Sequence, residues 1–331
     1  MNKAPVLQEE TVLSDDSYHA AIESKLRNPR KVYSRLSLAV FFYLVATLVS
    51  QILLEAGVSL LAPEWLKSPY FVWAVMVVCQ YLVAIPVAFL CTLGLPVFRY
   101  PAKRLSAGSF MRAFGLCVLI SYVGSVLSRI FNAWLEAVTG KTSDDSALSA
   151  MMENSSLWVV MLVVGIIGPL MEELLFRKML LERLRPYGEK PALLYTALIF
   201  GLIHGNLSQF FYAFGIGLIL GYLYLRTNTL WHGALLHILF NLLFGVMASY
   251  LQGKSESGEG WMMAAALLGW LILAMGIVGI VAAVRLRRRV FFLPNYYEIP
   301  KGRRFKTVFV NVGSILLAVA LLAYSVFAML I

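Results

Sequence analysis

Charge is scarce in this chain. Only 14% of its 331 residues are Asp, Glu, Lys or Arg, against about 25% in an ordinary soluble domain. That supply cannot coat a water-soluble globule of this length. Disorder is excluded as well, because 60% of the residues are hydrophobic and such segments collapse. Cysteine is equally sparse. Cys79, Cys91 and Cys117 lie inside apolar runs, at no spacing that suggests zinc, redox chemistry or a disulfide framework. No HExxH or GxSxG is present, so the common zinc-protease and serine-hydrolase designs have no foothold. No internal repeat and no low-complexity tract stands out. What the chain has in abundance is long apolar sequence, with a mean hydropathy of +0.76. The composition is that of a membrane protein.

Apolar runs fall at about 36–62, 70–98, 110–135, 157–176, 191–204, 210–225, 229–250, 261–284 and 307–331. Each is a candidate transmembrane helix, since ~30 Å of hydrocarbon needs about 20 helical residues. The expected fold is therefore all-α and polytopic, with about nine spans. A polar tail over 1–35 is expected in the cytoplasm. A membrane domain follows over 36–306, with its chemistry in 157–250, and a last helix over 307–331. The first apolar run is too long for the core of a signal peptide.

The net charge of +10 has a topological reading that needs no nucleic acid. If odd-numbered helices lead outward, every Lys and Arg except Lys67, Arg129, Lys141 and Lys254 lies in an inner segment. This follows the positive-inside rule and puts the N-terminus in the cytoplasm and the C-terminus outside. The run of Arg285 and Arg287 to Arg289 reads as a topology anchor. The stretch 137–156, with Asp144, Asp145 and Glu153, reads as the largest outer loop.

Ionisable residues at membrane depth are costly and mark function. Here they gather in the middle of the chain. The fourth run is interrupted by Glu172 and Glu173 and followed by Arg177, with a helix stop at Pro186 and Gly188. Glu173 and Arg177 are four apart and can pair on one face; Glu172 points about 100° away. The fifth run carries His204, and the seventh carries His237 and Asn241, again four apart. At ~1.5 Å per residue, Glu172, His204 and Asn241 lie about 20 Å above the inner helix ends, and His237 about 14 Å. The four side chains can meet at similar depth, provided the fourth helix projects beyond its apolar run. A carboxylate and an imidazole can take a proton from water, and a second imidazole with an amide can bind an oxyanion. That chemistry is hydrolysis of a carbonyl substrate, most plausibly a peptide bond. Glu172 with two histidines could instead hold zinc. Two other classes use the same polar cavity without hydrolysis: a scaffold or peptide-handling protein, and a proton-coupled transporter, which lacks the support of broken helices or inverted repeats.

The three motifs resemble those of a known family. EELLFR at Glu172–Arg177 matches EExxxR, FGLIH at Phe200–His204 matches FxxxH, and HILFN at His237–Asn241 matches HxxxN. These belong to the CAAX-protease and bacteriocin-processing (CPBP, or Abi) intramembrane endopeptidases, relatives of the eukaryotic CAAX prenyl endopeptidase. The resemblance covers about 157–250. It implies a helical core around a polar cavity, with Glu172 as catalytic base and His204 as its partner on water. It further implies His237 and Asn241 as the oxyanion-binding pair, and Glu173 and Arg177 as support. The family has been labelled metalloprotease, so zinc stays open beside the preferred expectation of a glutamate-activated water with no required cofactor. The resemblance points to a membrane-associated or hydrophobic peptide substrate, to the bilayer as the other partner, and to a bacterial plasma membrane. Peptide maturation, bacteriocin self-immunity and membrane-protein cleavage are the expected roles.

The charge asymmetry makes one direct prediction. Single cysteines placed at positions 2, 145, 255 and 295 and probed with an impermeant thiol reagent in intact cells should label at 145 and 255 only. Strong labelling at 295 with none at 145 would overturn the orientation.

Overall fold

The computed structural model describes residues 28–98, 100–140, 151–152, 154–286, 290–295 and 297–330. The tail expected over 1–35 lies outside them up to residue 27, as do residues 141–150 of the outer loop and Arg287 to Arg289. Among the described residues the fold is all helix, without a strand. Eight elements follow the apolar runs: α1 Pro29–Leu61, α2 Phe71–Cys91, α3 Ala107–Thr139, α4 Leu157–Tyr187, α5 Glu189–Leu202, α6 Leu207–Thr227, α7 Leu230–Ser257 and α8 Glu259–Leu286. A bent pair closes the chain, α9 Lys301–Phe309 and α10 Val312–Val326. The protein is a multi-pass membrane protein.

Seven of these helices are long and apolar enough to cross a membrane, and the bent pair makes an eighth if it is one span. Among the described residues the expected count of nine is not confirmed. The shortfall is α5. Its 14 residues rise only about 21 Å, short of a bilayer core. The bend at the end also has a local cause. Asn311 sits between α9 and α10, and its amide donates to the Thr307 and Val308 carbonyls while its Oδ1 accepts from the Ser314 N–H. One side chain thus closes the first segment and starts the second, turning the axis by 60°. At the other end, α1 begins at Pro29, earlier than residue 36, because Asn28 accepts from the Lys31 N–H as an N-cap with proline following it.

The helices pair in a pattern that leaves α4 in the middle. α3 packs on α6 and α8, α5 on α6, α1 on α2 and α10, and α4 on α7. The α5–α6 contact depends on small residues. A side chain at Gly217 or Gly221 would run into Phe200 and Ala197, or into Leu193. Between α1, α5 and α10 the hydroxyls of Ser37, Tyr195 and Ser314 bond to one another at 2.5–3.0 Å. In an apolar seam such mutual satisfaction removes the cost of burying each group singly.

The turn from α4 into α5 is held by one buried carboxylate. Glu189 opens α5, and its side chain is fully buried. Arg185 donates to it from α4 with N···O distances of 2.9–3.1 Å, Arg226 reaches it from α6, and the Leu293 N–H donates to it at 2.8 Å. Arg185 also donates to Asn228 Oδ1 and lies over the Tyr100 ring. This knot fixes the lower ends of α4, α5 and α6, and hence the register of the site above. Glu189→Ala strands two arginines in a largely buried setting, a loss of roughly 3 kcal/mol or more. Thermal unfolding of the purified protein in detergent should show a clearly lowered midpoint. An unchanged midpoint would mean that the knot carries no net stability.

Candidate functional site

The fourth run does extend past its apolar stretch, as the sequence required. α4 covers 31 residues, about 46 Å, and ends where Gly188 takes a positive φ of 122°. Its hydrogen bonds alternate between α and wider π spacing, with π segments at Met161–Ile167 and Leu174–Leu181 flanking Gly168–Glu173. The two glutamates therefore stand on a short α segment between two widened turns. Such turns recur at functional sites because they release backbone groups from the regular ladder.

Adjacent in sequence, the two carboxylates have different surroundings. Glu173 is fully buried, whereas the Glu172 side chain keeps 31% of its surface open. Glu173 Oε1 lies 3.1 Å from Arg177 Nη2 and 3.3 Å from His237 Nδ1. Arg177 is itself 1% exposed and sits 5.1 Å from the centre of the Phe200 ring. Glu173 fits against α7 because residue 233 is glycine: a β-carbon there would stand 2.9 Å from Glu173 Oε2. The other nitrogen of His237, Nε2, lies 3.7 Å from Glu172 Oε2. His237 thus bridges the buried carboxylate and the open one.

Asn241 follows one turn on. Its Nδ2 donates to the Val164 carbonyl at 3.1 Å. That carbonyl needs a donor for a reason visible in the sequence. The Gly168 N–H bonds to Val163, five residues back, so in the same register Val164 would look to residue 169. Residue 169 is proline and has no N–H. The asparagine amide fills the gap with one of its two N–H bonds and keeps the other. Gly165 admits Leu242 at this crossing, since a β-carbon there would lie 2.4 Å from Leu242 Cδ2.

His204 departs from expectation in one respect. It lies beyond α5, which ends at Leu202, because Gly205 has φ +74° and Asn206 caps α6 by accepting from the Gln209 N–H at 2.8 Å. Gly205 is therefore a turn glycine, while Gly201 faces the Phe210 carbonyl at a packed contact. The ring stays oriented because His204 Nδ1 lies 2.7 Å from the Phe200 carbonyl. A carbonyl only accepts, so the proton is on Nδ1 and Nε2 carries the lone pair of the neutral ring. Phe200 touches both histidines, its ring centroid 5.3 Å from His204 and 5.8 Å from His237.

Several site-building residues had no sequence motif of their own. Gly233 and Gly165 matter only through what they let approach. Tyr43 on α1 and Tyr81 on α2 come within Coulombic range of Glu172 from helices before the motif region. Their one signal is a hydroxyl in an otherwise apolar run. As for zinc, no group of three or more His, Cys, Asp or Glu among the described residues is placed to hold a metal ion. Glu172 Oε2 and His237 Nε2 lie 3.7 Å apart, and the Nδ1 contact of His204 with a carbonyl leaves its Nε2 free as a donor atom, which is how a metal-binding imidazole is usually held.

These features define a class: an all-helical membrane protein with Glu172, His237 and Asn241 on the packed helices α4 and α7 and His204 on the turn after α5. A family model for the type II CAAX prenyl endopeptidase Rce1-like proteins matches residues 154–243, which hold all three motifs. Over that segment the chain is similar to the CAAX prenyl endopeptidases, and the match supports the resemblance that the three motifs carry. It is also similar to the Bacillus subtilis (strain 168) protein described as "Putative membrane peptidase YdiL", at 30% identity over 106 residues. That match covers 29% of this chain and 42% of the relative, so the chain spans less than half the length of the curated relative it matches. No solved structure matches the chain.

Two substitutions probe the support around the site. Arg177→Ala leaves Glu173 buried with only His237 beside it, a loss of roughly 3–5 kcal/mol. It should lower both the thermal midpoint and the yield of folded protein. Gly233→Ala should act on the same carboxylate by displacing it rather than unpairing it. Its effect on the midpoint should be smaller than that of Arg177→Ala, and the reverse order would argue that Glu173 is held from elsewhere.

Proposed function

We propose that this protein is an intramembrane endopeptidase that hydrolyses a peptide bond of a hydrophobic or membrane-associated substrate. The observation that carries the reading is the asymmetry of the glutamate pair. Glu173 is sealed and compensated, while Glu172 is open on one side and faces His237 on the other. A carboxylate kept partly open at membrane depth, beside an imidazole, is the expected form of a general base for water.

In this reading Glu172 removes a proton from water as the water oxygen attacks the scissile carbonyl. His204 assists through its unprotonated Nε2. Asn241, with its remaining N–H, and His237, in the form that carries a proton on Nε2, donate to the developing oxyanion. Glu172 then returns the proton to the leaving amine, so the peptide bond breaks with no change of charge overall. Phe200 and the Glu173–Arg177 pair keep the two histidines in place. We further assign the protein to a bacterial plasma membrane, with peptide maturation, immunity to a bacteriocin or cleavage of a membrane protein as its setting. The oriented topology of the sequence reading is part of the same proposal.

The test is cleavage profiling of a membrane-peptide library by the purified protein, followed by kinetics on one confirmed substrate with metal analysis of the same sample. Glu172→Gln keeps the shape and removes the base, so turnover should fall at least ~10²-fold. Asn241→Ala should lose about 10²–10³-fold. Wild-type turnover by Glu172→Gln would exclude Glu172 as the base. Stoichiometric zinc whose removal reversibly abolishes cleavage would replace the metal-free scheme.

A further inference from the structure

Glu172 is approached from four directions. His237 faces it from α7 and Arg177 lies within Coulombic range on its own helix. From outside the motif region come Tyr43 on α1 and Tyr81 on α2, which also lie in range of each other. Both tyrosines are nearly buried, with 9% and 8% of their surface exposed.

Tyr81 has the more telling position. Its hydroxyl oxygen lies 3.2 Å from where a β-carbon on Gly168 would be. Gly168 and Glu172 are four apart on one α segment, so they share a face. A helical side chain leans toward the N-terminus over the preceding turn, which here directs the Glu172 carboxylate over Gly168. Glycine at 168 leaves room for the Tyr81 hydroxyl on the face of α4 that Glu172 shares. Tyr81, like Tyr43, is a neutral donor, and it is the one placed against Gly168. A phenol hydrogen bond stabilises an ionised carboxylate without adding a second charge to a poorly solvated place.

We propose that Tyr81 is a positioning residue for Glu172: its hydroxyl donates, through one bound water, to the side of the carboxylate that His237 leaves open. The proposal rests on the reading of Glu172 as the base for its catalytic meaning, but not for its geometry. Tyr81 lies on α2, outside the segment 154–243 that the family model matches, so this support comes from the surrounding helices of this chain.

Dicyclohexylcarbodiimide reads the contact without a substrate, because it modifies protonated carboxyl groups in apolar surroundings. The full-length protein in detergent is treated at neutral pH, and the Glu172 adduct is measured by mass spectrometry of its peptide. Tyr81→Phe removes only the hydroxyl. It should label Glu172 about fivefold faster or more, with an unchanged thermal midpoint. Gly168→Ala, which pushes the phenol aside by steric contact, should accelerate labelling in the same direction and covers the case in which Tyr81→Phe folds poorly. Tyr33→Phe, at a buried hydroxyl without a hydrogen-bond partner, should label at the wild-type rate. On a cleaved peptide, Tyr81→Phe should lower kcat about tenfold with KM within about twofold of wild type. Labelling of Tyr81→Phe at the wild-type rate overturns the proposal whatever the activity. Equal acceleration by Tyr33→Phe does so too, since it would show general loosening. Full activity of Glu172→Gln would instead sink the assignment of the base, leaving the labelling comparison to decide the contact.

Discussion

A carboxylate removed from water has to be compensated where it stands, and the arrangement of the site follows from two of them in succession. Glu172 and Glu173 are neighbours on α4, about 100° apart around its axis. One helix cannot compensate both, because side chains on its own surface reach only the residues three and four away. Glu173 uses the local partner, Arg177, and then needs a second group to cover its other side. That group is His237, delivered by α7, and α7 can come close enough because Gly233 has no side chain. The α4–α7 contact is therefore an electrostatic requirement as much as a packing one. Once His237 is placed for Glu173, its remaining nitrogen is directed at Glu172 without further cost.

A second requirement arises from the backbone. Proline at 169 removes a donor from α4 one turn before the glutamates, and a missing N–H inside hydrocarbon has no water to replace it. The Asn241 amide supplies that donor from α7. The same two helices are thus joined at two heights, by a charge contact at His237 and by a neutral hydrogen bond at Asn241. HxxxN gives the i, i+4 spacing that both joints need from one helix face. In the proposed mechanism the structural and catalytic demands on this motif coincide. Substituting Asn241 reopens the gap that Pro169 creates and, in that mechanism, also removes an oxyanion donor.

What could be read from the sequence divides along physical lines. The all-helical membrane class was legible from composition, and every apolar run became a helix. Span number was less so, since it depends on whether a short run such as 191–204 reaches across, which hydropathy does not measure. Pairing of Glu173 with Arg177 was legible because i, i+4 geometry is local. Depth counting brought Glu172 and His237 to similar depth, and they lie 3.7 Å apart, whereas His204 sits in a turn rather than on a helix because Gly205 breaks the regular rise on which the count relies. Gly233, Gly165, Tyr43 and Tyr81 were not legible. Their roles are set by what lies opposite them on another helix, and a single sequence holds no record of that. The Glu189 knot was hidden for the same reason, as it joins residues more than a hundred positions apart.

These two kinds of residue suggest how the site divides its work. α4 and α7 carry the charged and amide groups and settle one another through short-range constraints that leave little freedom. α1 and α2, packed on each other, close the remaining side with tyrosines. Neutral hydroxyls suit that side in the proposed reaction, in which a substrate chain and a water enter where Glu172 is open. A further charge there would pair with Glu172 and seal it, or repel it. A phenol does neither, and in the proposal it orders water beside the carboxylate. The open face of Glu172 is then a consequence of how little charge the flanking helices carry, the same scarcity that marks the chain as a membrane protein.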